Sequence, residues 1–238
     1  MIPLSNLPTL TKDQMVEVDR LMIEEWHISL VQMMENAGRS LAELARRTLG
    51  GTLTGKQVIV LSGTGNNGGG GMVAARHLHN WGASVECTLI GSETHLKNVP
   101  AQQWKIIQKM GLAAAQPALA DADLIIDALI GYGLTGAPRP PAATWIRAAN
   151  ASQTPILALD TPSGLDATRG VPAEPCMRAA ATLTLALPKA GLLTPEAQPY
   201  VGALYLADIG VPPELYAAPS LGLTLASPFE RDTIVKLT

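Results

Sequence analysis

The sequence predicts an α/β protein of the Rossmann-like, three-layer α/β/α type, with a mostly parallel sheet and two extra helices at the N-terminus. From residue 57 onward, short apolar runs alternate with helical patterns, which is typical of a parallel sheet covered by helices on both faces. A glycine-rich segment, residues 63–71, directly follows the first of these runs. Chemically distinctive residues also follow four predicted strands, where doubly wound sheets bind their ligands.

The two N-terminal helices are predicted from their capping residues. Thr11 followed by Gln14 forms a capping-box signature, and the apolar spacing after it indicates a helix that ends near Trp26. Ser29 can cap a second helix that runs past residue 41. Because both helices precede the alternating region, they are expected to cover a sheet edge or to meet a second subunit. A homodimer is therefore expected, since two-fold association is the commonest oligomeric form.

The remaining elements follow from the alternation of apolar runs with helical spacing. Strands are predicted at 57–61, 85–90, 124–129, 156–159, 182–187 and 203–206, and helices at 72–81, 101–110 and near 145–149. The last two strands have no obvious helix between them, so this edge of the sheet is expected to be mixed. One domain is expected over residues 1–238, with 219–238 as a possible tail.

Composition argues against several classes of partner. The formal charge is -3, with 17 basic and 20 acidic residues, and aromatic residues make up 4%, so a nucleic-acid-binding surface is not indicated. Cys87 and Cys176 can form neither a disulfide framework nor a metal knuckle, which suits a reducing compartment. The stretch 1–10 lacks an apolar signal region, and no apolar run reaches membrane-spanning length. A soluble, cytoplasmic protein without membrane contact is expected.

The glycine-rich segment is the strongest local signal for a binding site. Glycine occupies six of the nine positions in 63–71, so the main chain there is expected to turn sharply or to contact a ligand before a helix that opens at Met72. Exposed N–H groups at the start of a helix suit a phosphate. Asn66 and Asn67 add amides that can hydrogen-bond a ligand or offer oxygens to a cation. The alternative is a tight turn that binds nothing.

The same segment also matches the dinucleotide fingerprint of dehydrogenases. Gly63, Gly65 and Gly68 spell G-x-G-x-x-G, and Glu86 lies at about the distance of the carboxylate that binds the ribose. The match is weak because three more glycines follow Gly68 and because Glu86 sits inside a predicted strand. A dehydrogenase would also need a second substrate-binding region and an acid such as histidine near the nicotinamide.

Further polar clusters follow the later strands. Asp127 and Asp160 each end an apolar run, where an unpaired carboxylate is costly and tends to acquire a cation partner or a shifted pKa. Lys189 follows another strand, and it could pair with Asp160, neutralise a phosphate or simply be solvated. Because the carboxyl ends of parallel strands meet at one edge, these groups are expected to converge.

Together, these motifs resemble the YjeF N-terminal domain family. The resemblance covers roughly residues 10–210 and rests on five motifs in the family's order: Met34-Glu35-Asn36-Ala37-Gly38, Asn66-Asn67-Gly68-Gly69, Asp127 with Gly131-x-Gly133-Leu134, Asp160-x-Pro162-Ser163-Gly164-Leu165-Asp166, and Pro188-Lys189-x-Gly191. It implies NAD(P)H-hydrate epimerase activity, the interconversion of R and S forms of NADH or NADPH hydrated at C6 of the nicotinamide ring. A companion dehydratase of this repair reaction accepts only the S form.

The resemblance also implies roles for individual residues. Asp160 would contact substrate and act as acid or base, and Lys189 is expected as the second catalytic residue. A potassium ion would be held by Asn67, Asp127 and Ser163, an oxygen-only set that suits a hard cation. The hydrated dinucleotide, NADHX or NADPHX, would be bound by Asn66, Asn67, Gly68, Gly69, Gly70, Gly131, Tyr132, Gly133, Leu134, Thr135, Gly136, Ala137 and Asp160.

Two positions depart from the family pattern. Gly70 stands where the family has an aspartate, and Tyr132 stands where it usually has a threonine. A carboxylate is therefore missing from the glycine-rich segment, and a phenol occupies space in the expected pocket. These departures keep open an alternative function as a nucleotide-binding or scaffold relative of the same fold, since a fold does not by itself specify an activity.

Overall fold

The computed structural model describes residues 7–237 and confirms the α/β prediction. Its seven strands form one sheet in the order β2-β1-β3-β4-β5-β6-β7, in which every pairing is parallel except the antiparallel pairing of β7 with β6. The strands are β1 (Gln57–Ser62), β2 (Ser84–Leu89), β3 (Leu124–Ala128), β4 (Ile156–Leu159), β5 (Ala181–Leu185), β6 (Ala203–Ala207) and β7 (Ile234–Lys236).

Helices cover both faces of the sheet and complete the three layers. The helices are α1 (Lys12–Glu24), α2 (Leu30–Thr48), α3 (Asn66–Asn80), α4 (Asn98–Lys109), α5 (Ala142–Ala151), α6 (Gln198–Val201) and α7 (Pro213–Tyr216). Side chains of α2, α3 and α4 pack in one cluster with β1 to β5. On the other face, α5 packs against β1, β3 and β4, while α1, α6 and α7 pack against β6.

Both N-terminal helices begin at the predicted residues. Thr11 and Gln14 exchange the two hydrogen bonds of a capping box at the start of α1, and Ser29 and Gln32 do the same for α2. Each box satisfies two N–H groups that would otherwise lack an intrahelical partner. Among the residues 7–237, no helix combines the length and the apolar character needed to cross a bilayer.

The glycine-rich segment is helical from Asn66, so the prediction of a loop extending to Met72 is wrong. Four consecutive glycines lie within the first turns of α3, at positions 68 to 71, and all four are buried. A Cβ on Gly68 would lie 1.9 Å from the carbonyl oxygen of Gly63, and one on Gly71 would lie 2.4 Å from Cβ of Ala128. The glycines therefore allow α3 to approach the sheet more closely than any other residue could.

The C-terminal edge of the sheet is mixed, although the mixing comes from a different strand. The strands β5 and β6 are parallel, joined by a connection that contains the short helix α6, and β7 supplies the antiparallel pairing. The segment 219–238, expected as a possible tail, thus contributes β7, and Leu237 beyond it is buried. Residues 1–6, most of the stretch 1–10 considered as a signal region, and Thr238 lie outside the described residues.

Candidate functional site

A cavity of about 370 Å³ opens at the carboxyl edge of the sheet. The segments that follow β1, β3 and β4 line the side of the cavity at the sheet, and α1 and α2 line the opposite side. The volume lies within the range of small-molecule sites, and most of the wall is apolar, as such sites usually are. Its polar wall residues are Asp19, Asn66, Asn67, Tyr132 and Asp160, joined by main chain at Gly65, Gly70, Gly131 and Gly133.

Asp160 and Lys189 form a buried ion pair at this cavity. Asp160 ends β4 with a φ of 67° and is 3% exposed, while Lys189 is 0% exposed. The ammonium of Lys189 donates to Oδ1 of Asp160, and it also donates to the carbonyl of Leu185 at 2.8 Å. The prediction that these two residues pair is confirmed, whereas the solvated-lysine alternative is wrong. The other carboxylate oxygen of Asp160 accepts the N–H of Tyr132 at 3.1 Å.

Tyr132 connects this ion pair to the first helix. Its hydroxyl donates to Oδ2 of Asp19 on α1 at 2.5 Å, while its main-chain N–H contacts Asp160. Burial raises the pKa of the Asp19 carboxyl, and the Tyr132 hydrogen bond and the charge of Lys189 counter that rise in part. Burial, together with Asp19, also raises the pKa of the Tyr132 phenol.

Sequence reasoning missed Asp19, although a signal for it was present. Met15, Val18 and Met22 form the buried face of α1, and Asp19 stands four residues after the first of them and three before the last. An acidic residue on the core-facing stripe of an amphipathic helix is unusual, because residues at these spacings share one face. Such a residue is expected to have a specific partner, which here is Tyr132.

Asp127 and Ser163 lie together below the cavity. Asp127 is fully buried, and its carboxylate accepts the Ser163 hydroxyl at 2.6 Å, the Ser163 N–H at 2.8 Å and the Leu129 N–H at 3.2 Å. Burial raises the pKa of Asp127 to about 6, although these hydrogen bonds oppose the rise. Every one of these donors is neutral, so these hydrogen bonds supply no counter-charge to Asp127.

The third predicted potassium ligand, Asn67, lies beside the loop after β3, which also contacts Ser163. Its side-chain oxygen would be 3.0 Å from a Cβ on Gly131, and Ile130 just before that glycine donates its N–H to Ser163 Oγ at 2.9 Å. The side-chain nitrogen of Asn67 is buried without a hydrogen-bond partner. The carboxylate, amide and hydroxyl oxygens of these three residues are of the kind that suits a monovalent hard cation. Within the described residues, no cluster of three or more His, Cys, Asp or Glu side chains suits a transition metal.

The glycine-rich segment contributes to the site unevenly. Asn66, Asn67 and Gly70 line the cavity, whereas Gly68 and Gly69 are buried behind it. A Cβ on Gly70 would lie 2.8 Å from Leu159 Cδ2, the mobile end of a side chain that could shift. Gly70 is helical and does not have a positive φ, so the missing family aspartate is not excluded by backbone strain.

The loop 131–137 extends from this cavity into a neighbouring open groove. Gly131, Tyr132 and Gly133 line the cavity, while Leu134, Gly136 and Ala137 line the groove, and Thr135 is exposed between them. The groove has a volume of about 550 Å³, and its charged side chains are Lys12, Asp13, Asp166 and Arg169. The ammonium of Lys12 donates to the carbonyl of Leu134 at 3.2 Å, which ties this loop to the start of α1.

Two features of a dehydrogenase are not found at this edge. Glu86 lies in the middle of β2, paired in register with Ile59, and not at the carboxyl end where a ribose would bind. Among the described residues that line the cavity, none is a histidine. The G-x-G-x-x-G match is instead explained by the close packing of α3, since Gly68 contacts Gly63.

Comparison with known proteins gives one family. Residues 30–191 match the model of the YjeF-related protein N-terminus. A protein of Dehalogenimonas lykanthroporepellens named NAD(P)H-hydrate epimerase is 44% identical over 232 residues, covering 96% of this chain and 92% of the relative. A protein of the same name from Rhodopirellula baltica is 36% identical, covering 90% of this chain and 89% of its own.

Longer relatives and a solved structure agree with this assignment. A bifunctional NAD(P)H-hydrate repair enzyme of Moorella thermoacetica is 37% identical over 87% of this chain, which matches 41% of that relative's length. The crystal structure of yeast ynu0, YNL200c, superposes with a TM-score of 0.82 at 25% identity, covering 97% of this chain and 100% of the yeast chain. With the motifs, the fold and these relatives in agreement, this chain belongs to the YjeF-related protein N-terminus family.

Proposed function

We propose that this protein is an NAD(P)H-hydrate epimerase that interconverts the R and S forms of hydrated NADH and NADPH. The observation that carries the proposal is the Asp160–Lys189 ion pair, which is buried yet borders the cavity at the carboxyl edge of the sheet. Two close relatives that match this chain over nearly their full length carry the same name. Inverting the hydroxyl at C6 requires proton transfer as the hydroxyl leaves and water returns, and a positioned carboxylate contributes about 10² to 10⁴-fold to such steps.

The size of the cavity supports a division of the substrate between two regions. A volume of about 370 Å³ suits the hydrated nicotinamide ring, where the reaction occurs, better than a whole dinucleotide. The rest of the substrate would follow the loop 131–137 into the neighbouring groove, where the ammonium of Lys12 suits a phosphate and Arg169 is paired with Asp166. The N-terminus of α3 at Asn66 adds a second favourable position for an anion.

An epimerisation assay tests the proposed function directly. Purified protein is incubated with one epimer of the hydrate, and formation of the S form is followed through a dehydratase that accepts only that form. Activity above the enzyme-free rate supports the proposal. A folded protein that binds adenine dinucleotides without epimerising the hydrate would favour the alternative of a binding or scaffold relative, for which the missing carboxylate at Gly70 is the relevant feature.

We propose further that a potassium ion binds beside Asp127, with Asn67 and Ser163 as the other side-chain ligands. The charge of the buried Asp127 carboxylate supports this, because a buried anion is stabilised by a nearby cation. When bound, the ion would supply positive charge that holds the loops after β3 and β4 together. The chain's own hydrogen bonds between Ser163 and Ile130 already bring those loops into contact.

Potassium should therefore stabilise the protein against heat. If 100 mM potassium is about a hundredfold above its dissociation constant, the gain is about 2.7 kcal/mol. For a chain of this size, each kcal/mol raises Tm by roughly 2–4 °C. Scanning calorimetry in potassium chloride and in choline chloride of equal ionic strength measures the difference. Asp127→Asn should abolish it, whereas Asp121→Asn, at an exposed position before β3, should retain it. Equal Tm values in both salts would contradict the proposal.

A homodimer is proposed from an exposed apolar stripe on the N-terminal helices. Val16 and Ile23 lie seven residues apart on α1 and are 50% and 43% exposed, and Trp26 and Val31 nearby are exposed as well. Residues at this spacing share one helix face.

Light scattering at micromolar concentration should give the dimer mass. Ile23→Glu should shift the mass toward the monomer, while Ile106→Glu on α4 should leave it unchanged; a monomeric wild type would refute the dimer.

A cytoplasmic location is also proposed, and it is supported by the cysteines. Cys87 and Cys176 are both free and buried, and burial raises the pKa of each thiol to about 12. Thiols with such high pKa values are protonated at neutral pH and are therefore unreactive. Reduced cysteines of this kind are typical of cytosolic proteins.

A further inference from the structure

We propose that Asp19 is a second acid/base residue of the epimerisation, acting on the face of the ring opposite to the Asp160–Lys189 pair. This inference rests on the proposed epimerase function. Neither the sequence motifs nor the family resemblance singles out α1 as part of the reaction site. The structure nevertheless places Asp19 on the wall of the same cavity as Asp160.

Tyr132 lies between the carboxylates of Asp160 and Asp19 and contacts one at each end. Tyr132 donates its main-chain N–H to Asp160 at one end and its hydroxyl to Asp19 at the other. Asp160 is attached to the sheet at the end of β4, whereas Asp19 approaches from α1. A flat ring bound in the cavity would therefore have one carboxyl group on the side of the sheet and one on the side of α1.

The two carboxyl groups also differ in their electrostatic environment. Asp160 is in direct contact with the ammonium of Lys189, which provides its counter-charge. Within residues 7–237, Asp19 receives one hydrogen bond, from the neutral hydroxyl of Tyr132, and Asp160 and Lys189 are the charged groups that act on it across the cavity. One carboxyl group thus has a cationic partner and the other a neutral donor, and unlike environments of this kind suit one acid and one base.

Inversion at C6 can use both groups. For the epimer whose hydroxyl faces Asp19, the protonated Asp19 donates its proton to the hydroxyl, the C6–O bond breaks, water leaves, and the ring nitrogen lone pair forms a C6=N1 iminium. A water molecule then adds to C6 from the other face and loses its proton to the Asp160 carboxylate. Asp19 has then lost one proton and Asp160 has gained one, and proton exchange with solvent restores the starting state of both residues. Inverting glycosidases likewise use two carboxyl groups on opposite faces of a ring.

Asp19→Asn tests this role because asparagine keeps the size of the side chain and can still accept the Tyr132 hydroxyl. The reaction is followed in ¹⁸O-labelled water, and both inversion and oxygen exchange at C6 are measured, with the enzyme-free rates subtracted. Inversion should fall by about 10²-fold or more. The epimer whose hydroxyl faces Asp160 should still exchange its oxygen at close to the wild-type rate. On that face, the Lys189 ammonium can give a proton to the departing hydroxyl, Asp160 can take one from the labelled water that adds, and a proton transfer between the two restores the pair.

Two control variants distinguish a catalytic role of Asp19 from a structural one. Glu24→Gln changes an exposed charge at the end of α1 and should leave both rates unchanged. Tyr132→Phe removes the hydroxyl but retains both carboxyl groups, so it should lower inversion by no more than about tenfold, the value of one neutral hydrogen bond.

Three results would overturn the inference. In the first, Asp19→Asn epimerises at the wild-type rate. In the second, inversion and exchange of both epimers fall together in Asp19→Asn, which indicates a structural role. In the third, Tyr132→Phe loses as much activity as Asp19→Asn, which assigns Asp19 to the support of Tyr132. A wild-type protein that neither inverts nor exchanges would instead refute the proposed epimerase function on which the inference depends.

Discussion

Replacing Asp160 by asparagine should lower the epimerisation rate by on the order of 10²-fold or more and should also destabilise the fold. The first effect follows from losing the carboxylate that borders the cavity. The second follows from Lys189, which is 0% exposed and would lose its counter-charge. Breaking a buried ion pair by removing one partner costs about 3–5 kcal/mol. Asparagine is the least disruptive choice, since it tolerates the positive φ that Asp160 adopts.

The double variant Asp160→Asn with Lys189→Met separates the two effects. It removes the buried charge together with its partner, so the free energy of unfolding, measured by urea denaturation, should return most of the way to the wild-type value. The epimerisation rate should remain low. Asp121→Asn, at an exposed position before β3, should change neither quantity greatly. A double variant that regains wild-type activity would show that Asp160 is not the acid or base.

Replacing Gly68 by alanine should destabilise the protein by about 3 kcal/mol or more. In an unhindered helix the same change gains roughly 1 kcal/mol, because alanine has the higher helix propensity. Here the added Cβ would lie 1.9 Å from the carbonyl oxygen of Gly63 and 2.7 Å from its carbonyl carbon, and both are main-chain atoms that cannot rotate away. Overpacking of this kind costs about 1–3 kcal/mol and occasionally more, so α3 would have to move away from the sheet.

Gly65→Ala is the matched control for this prediction. A Cβ on Gly65 would meet nothing within 4 Å, and its φ of -90° is accessible to alanine. Urea denaturation should therefore show a change of at most about 1 kcal/mol, the usual cost of alanine at an N-cap position. If Gly68→Ala and Gly65→Ala were equally stable, the density of glycine would reflect contact with a ligand and not the close packing of α3.

Local patterns in the sequence predicted much of the fold because their physical causes are local. The capping boxes at Thr11 and Ser29 depend on side chains three residues apart, and the structure contains both. The strand β4 agrees with its prediction at both ends, since an apolar run between turn residues needs no distant information. The convergence of Asp127, Asp160 and Lys189 at one edge also followed from the sequence, because parallel strands bring their carboxyl ends together.

The sequence by itself determined the fold class, the family and the edge of the sheet where the site lies, whereas the tertiary structure decided which groups make contact there. The burial of Lys189, the start of α3 at Asn66 and the bond between Asp19 and Tyr132 could not be predicted from local patterns. Each depends on segments far apart in the chain: Asp19 lies 113 residues before Tyr132. Desolvation, steric approach and ion pairing depend on distances in space, and only the packed sheet and helices define those distances.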